Sequence, residues 1–378
     1  MQAPTTALVP GRRHRHRGAM TTAPLATSAR MAAARQEFDA EVAYLNTATV
    51  GLPPRRSWEA MQAAQQAWRT GRADPVVHDV PLSAARAAYA GLVGVPVEAV
   101  AVASQVSVFA GLVAASLPPG SEVLTVTGDF TSILFPFLAQ AERGVVVREV
   151  PLEHLAEAVT ASTTLVSVSA VQSADGRLAD LDALQKACSV HGTRVLLDTT
   201  QAVGWLPVQA GRFTYTVCGG YKWLLAPRGT AYLTVSPGHL DDLVPHAAGW
   251  YAGEDRWSSI YGTPLRLARD ARRFDVSPAW HAWVGAAPAL ELLTEVGASL
   301  LQAHAVGLAD RFRAGNDLPS GDSAIVSLAV DDGAAAAMQR AEVVGAVRAG
   351  RLRLSFHLST SADDVDRAVE ALAGHVLR

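Results

Sequence analysis

The sequence predicts an α/β protein whose large domain is built on a mostly parallel sheet of seven strands. Short apolar segments with few charges recur along the first two thirds of the chain, as expected of strands that are buried on both faces. Helical patterns separate them, for example over residues 106–117 and 181–191, so the strands fall into βαβ units. The seven candidate strands span residues 100–103, 122–127, 145–150, 164–171, 194–199, 215–219 and 230–235.

A change in composition near residue 249 predicts a second, smaller α+β domain at the C-terminal end. Gly and aromatic residues are frequent over 249–261. The pattern beyond them indicates two helices, two strands and a closing helix, at residues 280–296, 298–313, 324–330, 352–357 and 361–377. The closing helix starts with Ser361 and Asp364, a capping-box pattern with Asp in place of Glu.

The N-terminal end differs from the rest of the chain in composition. Residues 11–18 are basic, and residues 21–34 are mostly small with no periodic apolar pattern, which indicates disorder. We therefore divide the 378 residues into four parts. These are a disordered tail over 1–36, a segment over 37–60 that contributes to the small domain and the active-site entrance, a large α/β domain over 61–255 and a small domain over 256–378.

The bulk composition excludes several classes of partner. A formal net charge of −3 gives no reason to expect nucleic acid or an acidic membrane surface. No apolar run reaches the roughly 18 residues that a membrane span needs. Cys188 and Cys218 are the only cysteines, and two isolated thiols do not form a metal-ligand cluster. We expect no metal, and the thiols indicate a reduced, cytoplasmic setting.

Asp198 and Lys222, taken together, are the strongest indication of chemistry in the sequence. Asp198 ends an apolar strand, and Lys222 follows 24 positions later, flanked by glycines and aromatic residues. A pyridoxal phosphate enzyme needs both groups, because the lysine forms a Schiff base with the cofactor aldehyde and the aspartate keeps the pyridinium nitrogen protonated. Taken alone, Lys222 could equally be a surface lysine and Asp198 a helix cap.

The context of these two residues resembles the class V aminotransferase superfamily of fold-type I pyridoxal phosphate enzymes. This superfamily includes cysteine desulfurases, kynureninases and isopenicillin-N-epimerase-like proteins. The resemblance runs from about residue 44 to the C-terminus, and its strongest segments are residues 196–204, 218–229 and 273–278. It implies the fold-type I architecture and pyridoxal 5'-phosphate as the cofactor.

Three further cofactor contacts lie on the large domain. The resemblance implies that Gln201 hydrogen-bonds the phenolic oxygen of the ring, that Phe130 stacks on the ring and that Ser107 contacts the phosphate. The position of Ser107 also makes physical sense, since residues 104–107 follow a strand and open a helix, where backbone N–H groups can meet a phosphate. From the residues alone, Gln201 could be an ordinary residue at a helix start, Ser107 a helix cap and Phe130 a core side chain.

The remaining contacts come from other parts of the chain. The resemblance implies that Tyr221 and Trp250 donate to the phosphate and that Ser277 reaches the phosphate of the neighbouring subunit, which predicts a homodimer with shared active sites. It also implies that Arg353 binds the substrate α-carboxylate, a role that suits the planar fork of a guanidinium. Asn46 is a second implied substrate contact.

One departure from the family narrows the expected reaction. A cysteine desulfurase carries a nucleophilic thiol on the loop before the carboxylate-binding arginine, but residues 341–350 contain no cysteine. We therefore expect an enzyme that acts on an α-amino acid by lyase-type cleavage at Cβ, for example of a C–S bond, without a persulfide cysteine. Transamination and amino-acid epimerisation are alternatives, and a non-catalytic, cofactor-binding regulatory module is a third.

Overall fold

The computed structural model describes residues 22–377, and a seven-stranded sheet lies at its centre. The strands of the described chain are β1 Ala43–Tyr44, β2 Val100–Ala103, β3 Glu122–Val126, β4 Val146–Val150, β5 Thr163–Ser169, β6 Arg194–Asp198, β7 Tyr215–Gly219, β8 Ala231–Val235, β9 Ile325–Leu328, β10 Val343–Val344, β11 Ala346–Arg348 and β12 Arg351–Ser355. The large sheet has the order β2-β8-β7-β6-β5-β3-β4. Strand β8 runs antiparallel to both neighbours, and the other neighbouring pairs are parallel.

Helices cover both faces of this sheet. Those of the described chain are α1 Thr22–Arg35, α2 Arg55–Arg69, α3 Asp79–Val93, α4 Val106–Ser116, α5 Thr131–Leu138, α6 Leu181–His191, α7 Trp280–Val296, α8 Ala298–Gly315, α9 Ala334–Arg340 and α10 Ala362–Leu372. Alternate strand residues enter two separate cores, as the period of two requires. Val100 and Val102 pack with residues of α3 and α7, whereas Ala101 and Ala103 pack with residues of α4 and α5.

The structure confirms the fold class and most of the predicted elements. All seven candidate strands are present, and α6 and α7 have the predicted bounds. The capping box of α10 also forms, with the Ser361 hydroxyl accepting from the backbone N–H of Asp364. This helix ends at Leu372 rather than at residue 377, and Gly374 follows with a φ of +80°, a conformation that a helix cannot continue.

The predicted disordered tail is wrong in part. Residues 22–35 form helix α1, and Ala34 is buried in the core that α7 also joins. The segment is rich in Ala with Met and Arg, which have high helix propensity, and burial of a small face supplies the packing that a periodic pattern did not indicate. Residues 1–21, including the basic stretch over 11–18, lie outside the described residues.

Two smaller sheets join the ends of the chain. Strands β11, β12 and β9 form an antiparallel sheet, and β1 pairs in parallel with β10. Leu45 packs with residues of α8, α10 and β12 in a third core. The segment after residue 37 thus lies against the C-terminal elements, and the three boundaries between the four predicted parts stay predictions.

Among residues 22–377, no single helix is both long enough and apolar enough to cross a membrane. Helices α7 and α8 meet that test only when joined, and they are bent by 86° relative to each other.

A buried ion pair connects the large sheet to the segment after residue 274. The Arg86 side chain on α3 binds Asp275 with an Nη2–Oδ2 distance of 2.6 Å, and both side chains are almost fully buried. Asp275 also accepts from the backbone N–H of Val102 on β2 at 2.9 Å. Removal of one partner of a buried pair leaves the other charge without compensation, so this contact fixes three elements together.

We expect the Asp275→Ala substitution to lower the free energy of unfolding by about 3–5 kcal/mol, because Arg86 would remain buried without a counter-ion. Urea denaturation at fixed protein and cofactor concentration measures this. The matched control is Asp366→Ala, which removes the partner of Arg311 in a half-exposed pair and should change stability far less. Equal losses in the two variants would contradict the prediction.

Candidate active site

The candidate active site is a cavity of about 180 Å³ at the carboxyl ends of the parallel strands. Ligand sites of open α/β sheets form at this edge, because the loops that leave neighbouring strands converge there. Strands β2, β3, β5, β6 and β7 all deliver side chains to it. The lining residues are Ser104, Gln105, Val106, Ser107, Phe130, Ser132, Ser169, Ser173, Asp198, Thr200, Gln201, Tyr221, Lys222, Arg228 and Gly229.

Lys222 lies in a rigid turn directly after β7. Its side chain is buried, with the residue only 5% exposed, and it forms no ion pair with a carboxylate of the described chain. Burial lowers the pKa of Lys222 to about 8; the Asp198 carboxylate opposes this shift and the Arg353 guanidinium reinforces it. A lysine of lowered pKa has a larger neutral fraction near pH 7, which favours nucleophilic attack on an aldehyde.

The backbone around Lys222 leaves little freedom. A Cβ on Gly51 would lie 2.1 Å from the Lys222 carbonyl oxygen, and one on Gly204, whose φ is +117°, would lie 2.3 Å from the Trp223 carbonyl oxygen. Leu225 takes a left-handed conformation with a φ of +58°. Strain of this kind is retained only where the surroundings determine the backbone, and it is concentrated at functional sites.

Asp198 ends strand β6 and is 4% exposed. Burial raises its pKa to about 6, and hydrogen bonds from Thr200 act in the opposite direction. One of these is the Thr200 backbone N–H, which donates to Oδ1 at 2.8 Å. The carboxylate is thus poised to accept a cationic partner, which would favour its ionised form.

Two aromatic rings border the Lys222 ammonium. Its Nζ lies 5.1 Å from the ring centroid of Phe130 and 5.6 Å from that of Tyr221. The Asp129 carboxylate fixes the Phe130 loop, because it accepts from the Phe130 backbone N–H at 2.7 Å and from the Ser169 hydroxyl at 2.6 Å. Phe130 is still 41% exposed, so its ring is available to a ligand in the cavity.

One end of the cavity suits an anion. Helix α4 starts there at Val106 without a side-chain cap, so its first backbone N–H groups face the cavity region with the positive end of the helix dipole. Within residues 22–377, the hydroxyls of Ser107 and Tyr221 form no hydrogen bond. Arg228 adds a guanidinium that lies 5.0 Å from the Tyr221 ring centroid and pairs with no described carboxylate. Arg228 lies within the segment 218–229, and the sequence alone predicted no role for it.

Gln201 lies in the cavity with its amide already engaged. Its Nε2 donates to the Ala48 carbonyl and to the Ser173 hydroxyl, each at 3.0 Å, and its Oε1 accepts from the Trp223 indole at 2.7 Å. Donation to a ring oxygen would have to replace one of the Nε2 contacts. The predicted contact with a phenolic oxygen therefore stays a prediction.

Arg353 is buried beside the cavity, with 2% of the residue exposed. Its guanidinium donates to the carbonyl and hydroxyl of Ser173 and to the Thr49 hydroxyl at 2.8 Å. Burial lowers its pKa to about 10, and Arg348 lowers it further. Sequence reasoning missed Thr49 and Ser173, because neither belongs to a recognisable motif.

Besides Arg353, which contacts the cavity through Ser173, three predicted site residues do not line the cavity. Trp250 packs on Tyr251 at 4.8 Å and on Trp257 at 5.2 Å between ring centroids. Ser277 is exposed on the segment that the buried Asp275 anchors. Asn46 bridges to Ser355 through its backbone, and its buried Oδ1 has no hydrogen-bond partner among the described residues. The predicted roles of these three residues remain predictions.

The donor set of the cavity fits pyridoxal phosphate. The chain contains only two lysines, and of these Lys222 is buried in the cavity whereas Lys186 is exposed on α6. A nucleophilic amine, a buried carboxylate, a ring for stacking and an anion site at a helix N-terminus are the groups that bind its aldehyde, its pyridinium, its ring face and its phosphate. The fold and this donor set define a fold-type I pyridoxal phosphate protein.

Comparison with known proteins gives the family. The sequence profile of class-V aminotransferases matches residues 84–315, so the chain belongs to the class-V aminotransferase family. Isopenicillin N epimerase of Streptomyces clavuligerus is 27% identical, with 89% of this chain and 96% of the epimerase covered. Kynureninase of Deinococcus radiodurans is 28% identical over 74% of this chain and 72% of its own length.

Solved structures agree on the fold. The cysteine desulfurase CsdA of Escherichia coli superposes with a TM-score of 0.78 at 18% identity, over 91% of this chain and 98% of that one. The cystine C–S lyase C-DES, in complex with cysteine persulfide, superposes with a TM-score of 0.80 at 22% identity, over 89% and 98%. The predicted family, fold type and cofactor class are confirmed.

We expect cofactor-free protein to capture pyridoxal phosphate at a rate that rises with pH around a midpoint near 8, since the neutral Lys222 amine is the nucleophile. Near-visible absorbance follows the capture, and borohydride reduction with peptide mass spectrometry locates the adduct. Lys222→Ala should abolish the trapped adduct, and Lys186→Ala should retain it. An adduct on Lys186 would show that Lys222 is not the attachment site.

Proposed function

We propose that the protein acts on an α-amino acid and cleaves a bond at Cβ, as a lyase. One observation carries this choice: among the described residues, Lys222 is the single amine, imidazole or thiol that lines the cavity. One base suffices to remove the α-proton before a leaving group departs from Cβ. Exchange of configuration by two opposed bases needs a second proton-transfer group. The Tyr221 phenol also lines the cavity, but burial raises its pKa, which makes it a poor base near neutral pH.

The protein's own residues divide the work among binding, electrostatics and proton transfer. Pyridoxal phosphate, when bound, supplies an electron sink for the substrate α-carbon. Asp198 would hold the ring nitrogen in its cationic form, in which the ring withdraws electrons most effectively. The Lys222 Nζ atom, when it is not bonded to the cofactor, would accept the substrate α-proton as general base. The electron pair of the Cβ–leaving-group bond departs with the leaving group, and hydrolysis then yields ammonia and a 2-keto acid.

Arg353 binds the substrate α-carboxylate in this proposal. Its buried guanidinium has no carboxylate partner in the described chain, and Ser173 and Thr49 hold its orientation through hydrogen bonds. A planar guanidinium donates two parallel hydrogen bonds to a carboxylate. Fixing the carboxylate also fixes which bond at Cα lies toward Lys222, so Arg353 contributes to reaction choice as well as to affinity.

A persulfide mechanism has little support. Cys188 and Cys218 are both buried, and burial raises the pKa of Cys188 to about 11 and that of Cys218 to about 12. Thiols of high pKa and low accessibility are poor nucleophiles. The leaving group is therefore proposed to depart freely rather than to be transferred to the protein. The cytoplasmic location stays a prediction that rests on these unpaired thiols.

Two other outcomes use the same binding groups. The similarity to isopenicillin N epimerase favours epimerisation, and the family that the profile describes favours transamination. Both need an α-proton transfer by Lys222, so they differ from the lyase only in later steps. A binding module without catalysis has no need of the buried lysine, and the placement of Lys222, Asp198 and Arg353 around one cavity argues against it.

We expect holoprotein in D₂O to exchange the α-proton of a suitable L-amino acid and to release ammonia and a 2-keto acid only when Cβ carries a leaving group. β-Chloroalanine, cystine and alanine form the test series. Asp198→Asn should slow α-proton exchange by about a hundredfold or more while the cofactor is retained, since an electrostatic stabiliser of the reacting charge is lost.

The controls separate the alternatives. The double variant Cys188→Ser/Cys218→Ser should keep full turnover, and its loss with cofactor bound would restore a thiol mechanism. Appearance of the D-enantiomer without ammonia would mean epimerisation. Keto-acid formation that depends on an added amino acceptor would mean transamination. Exchange at the wild-type rate in Asp198→Asn would remove this residue from the reaction.

We also propose that the enzyme is a homodimer whose sites are shared. The exposed Ser277 adjoins an apolar surface groove lined by Val108, Leu112, Phe274 and Val276. A cofactor that touches both chains favours association by mass action. The groove and the exposed hydroxyl support this assembly.

Cofactor removal should then raise the dimer dissociation constant, and Ser277→Ala should weaken cofactor retention. Sedimentation velocity over a dilution series, with and without pyridoxal phosphate, measures both effects. Ser189→Ala, on the exposed face of α6, is the matched control and should change neither. A monomer that keeps full cofactor occupancy would exclude the shared site.

A further inference from the structure

We infer that the substrate carries a second acidic group besides its α-carboxylate, and that Arg348 binds it at the mouth of the site next to Arg353. This inference rests on the proposed function, since it takes Arg353 as the α-carboxylate contact. It narrows the substrate class to α-amino acids whose side chain ends in an acid.

A tight hairpin brings Arg348 and Arg353 to one face. Strands β11 and β12 are antiparallel, with Arg348 opposite Arg351 and Ala346 opposite Arg353. Residues directly opposite each other, and residues two apart on a strand, point to the same side of a sheet. Ala349 and Gly350 connect the strands with φ values of +47° and +75°. Two positive φ values in a two-residue connection are typical of a type I′ turn, which fixes the register.

The Thr49 hydroxyl joins the two guanidinium groups. It accepts from Arg353 Nη2 at 2.8 Å and from Arg348 Nη2 at 3.2 Å. A hydroxyl oxygen has two lone pairs, so this contact uses both. The two terminal nitrogens are then no farther apart than the sum of these distances. Two like charges are therefore held side by side next to the cavity.

No carboxylate of the described chain compensates these charges. Neither Arg348 nor Arg353 forms an ion pair within residues 22–377, although many other arginines do, for example Arg86, Arg148 and Arg311. The positive charge of Arg348 acts on Arg353, because it contributes to the lowered pKa of the Arg353 guanidinium. Close like charges cost free energy unless an anion is bound between or beside them.

One carboxylate does not need both arginines. A guanidinium already offers two parallel donors to a carboxylate, so Arg353 saturates the α-carboxylate by itself. Arg353 is buried and donates to Ser173, which lines the cavity, whereas Arg348 is exposed. A substrate that reaches both must extend from the interior to the mouth, as a side chain with a terminal carboxylate does. Arg351 lies on the same hairpin but donates to the Ser327 carbonyl on β9 instead.

The test measures binding of two probes that lack an amine and cannot react, glutarate and butyrate, to the holoprotein by isothermal titration calorimetry. The wild type should bind glutarate about tenfold more tightly than butyrate or better, as expected of an added charge-assisted contact. Arg348→Ala should remove this preference and leave butyrate affinity unchanged. Arg351→Ala, the matched control, should keep the preference.

Two results would overturn the inference. One is a wild type that binds glutarate and butyrate equally. The other is an Arg348→Ala variant that loses affinity for both probes in the same proportion, since Arg348 would then share the α-carboxylate. The near-visible absorbance of the Lys222-bound cofactor is recorded in the same samples. If this absorbance is present, each of the two results overturns only the inference about Arg348 and not the proposed function. If the wild type lacks this absorbance, the proposed function itself is overturned.

Discussion

The burial of Lys222 is the constraint on which the rest of the site depends. An ammonium group taken out of water destabilises the protein unless it is paired or deprotonated. Here no carboxylate forms an ion pair with it in the described chain, and its pKa is lowered to about 8. The turn that carries it is held by close backbone contacts of Gly51 and Gly204. The fold thus holds a reactive amine in a fixed place, although burial of that amine lowers the stability of the protein.

Two buried acidic groups at the same sheet edge have different surroundings. Asp198 has a raised pKa because of burial, whereas Asp129 is held by donors from Phe130 and Ser169. These two carboxylates lie at the ends of strands on either side of β5, where Ser169 pairs with Asp198 in register. Asp198 can still bind a cationic ligand, whereas the Asp129 carboxylate holds the loop that carries the Phe130 ring. Their different hydrogen-bond partners explain how neighbouring acids can have separate roles.

The sequence was sufficient for the fold and for the centre of the site, and it failed where contacts are distant along the chain. The strands were predictable because burial on both faces leaves a local pattern, and Asp198 and Lys222 because each adjoins such a strand. Helix α1 was missed because its burial depends on tertiary packing of a few small side chains.

Long-range contacts explain the other omissions. Thr49 and Arg353 are hydrogen-bonded across 304 positions, and Ser173 and Arg353 across 180. No window of the sequence contains such a pair, so neither Thr49 nor Ser173 could be singled out. The same holds for the engaged amide of Gln201, whose partner Ala48 lies 153 positions away.

The pairing of β1 with β10 has a consequence for the order in which the molecule can form. The cavity is lined entirely by residues 104–229, so its parts are synthesised before the last third of the chain. The arginine pair needs both Thr49 and residues 348–353, and the parallel bridge Ala43–Val343 closes a loop of almost the whole described chain. Closing so long a loop costs more entropy and is slower than local folding. The parts of the cavity and of the arginine pair are thus separated in time during biosynthesis, with the arginine pair completed last.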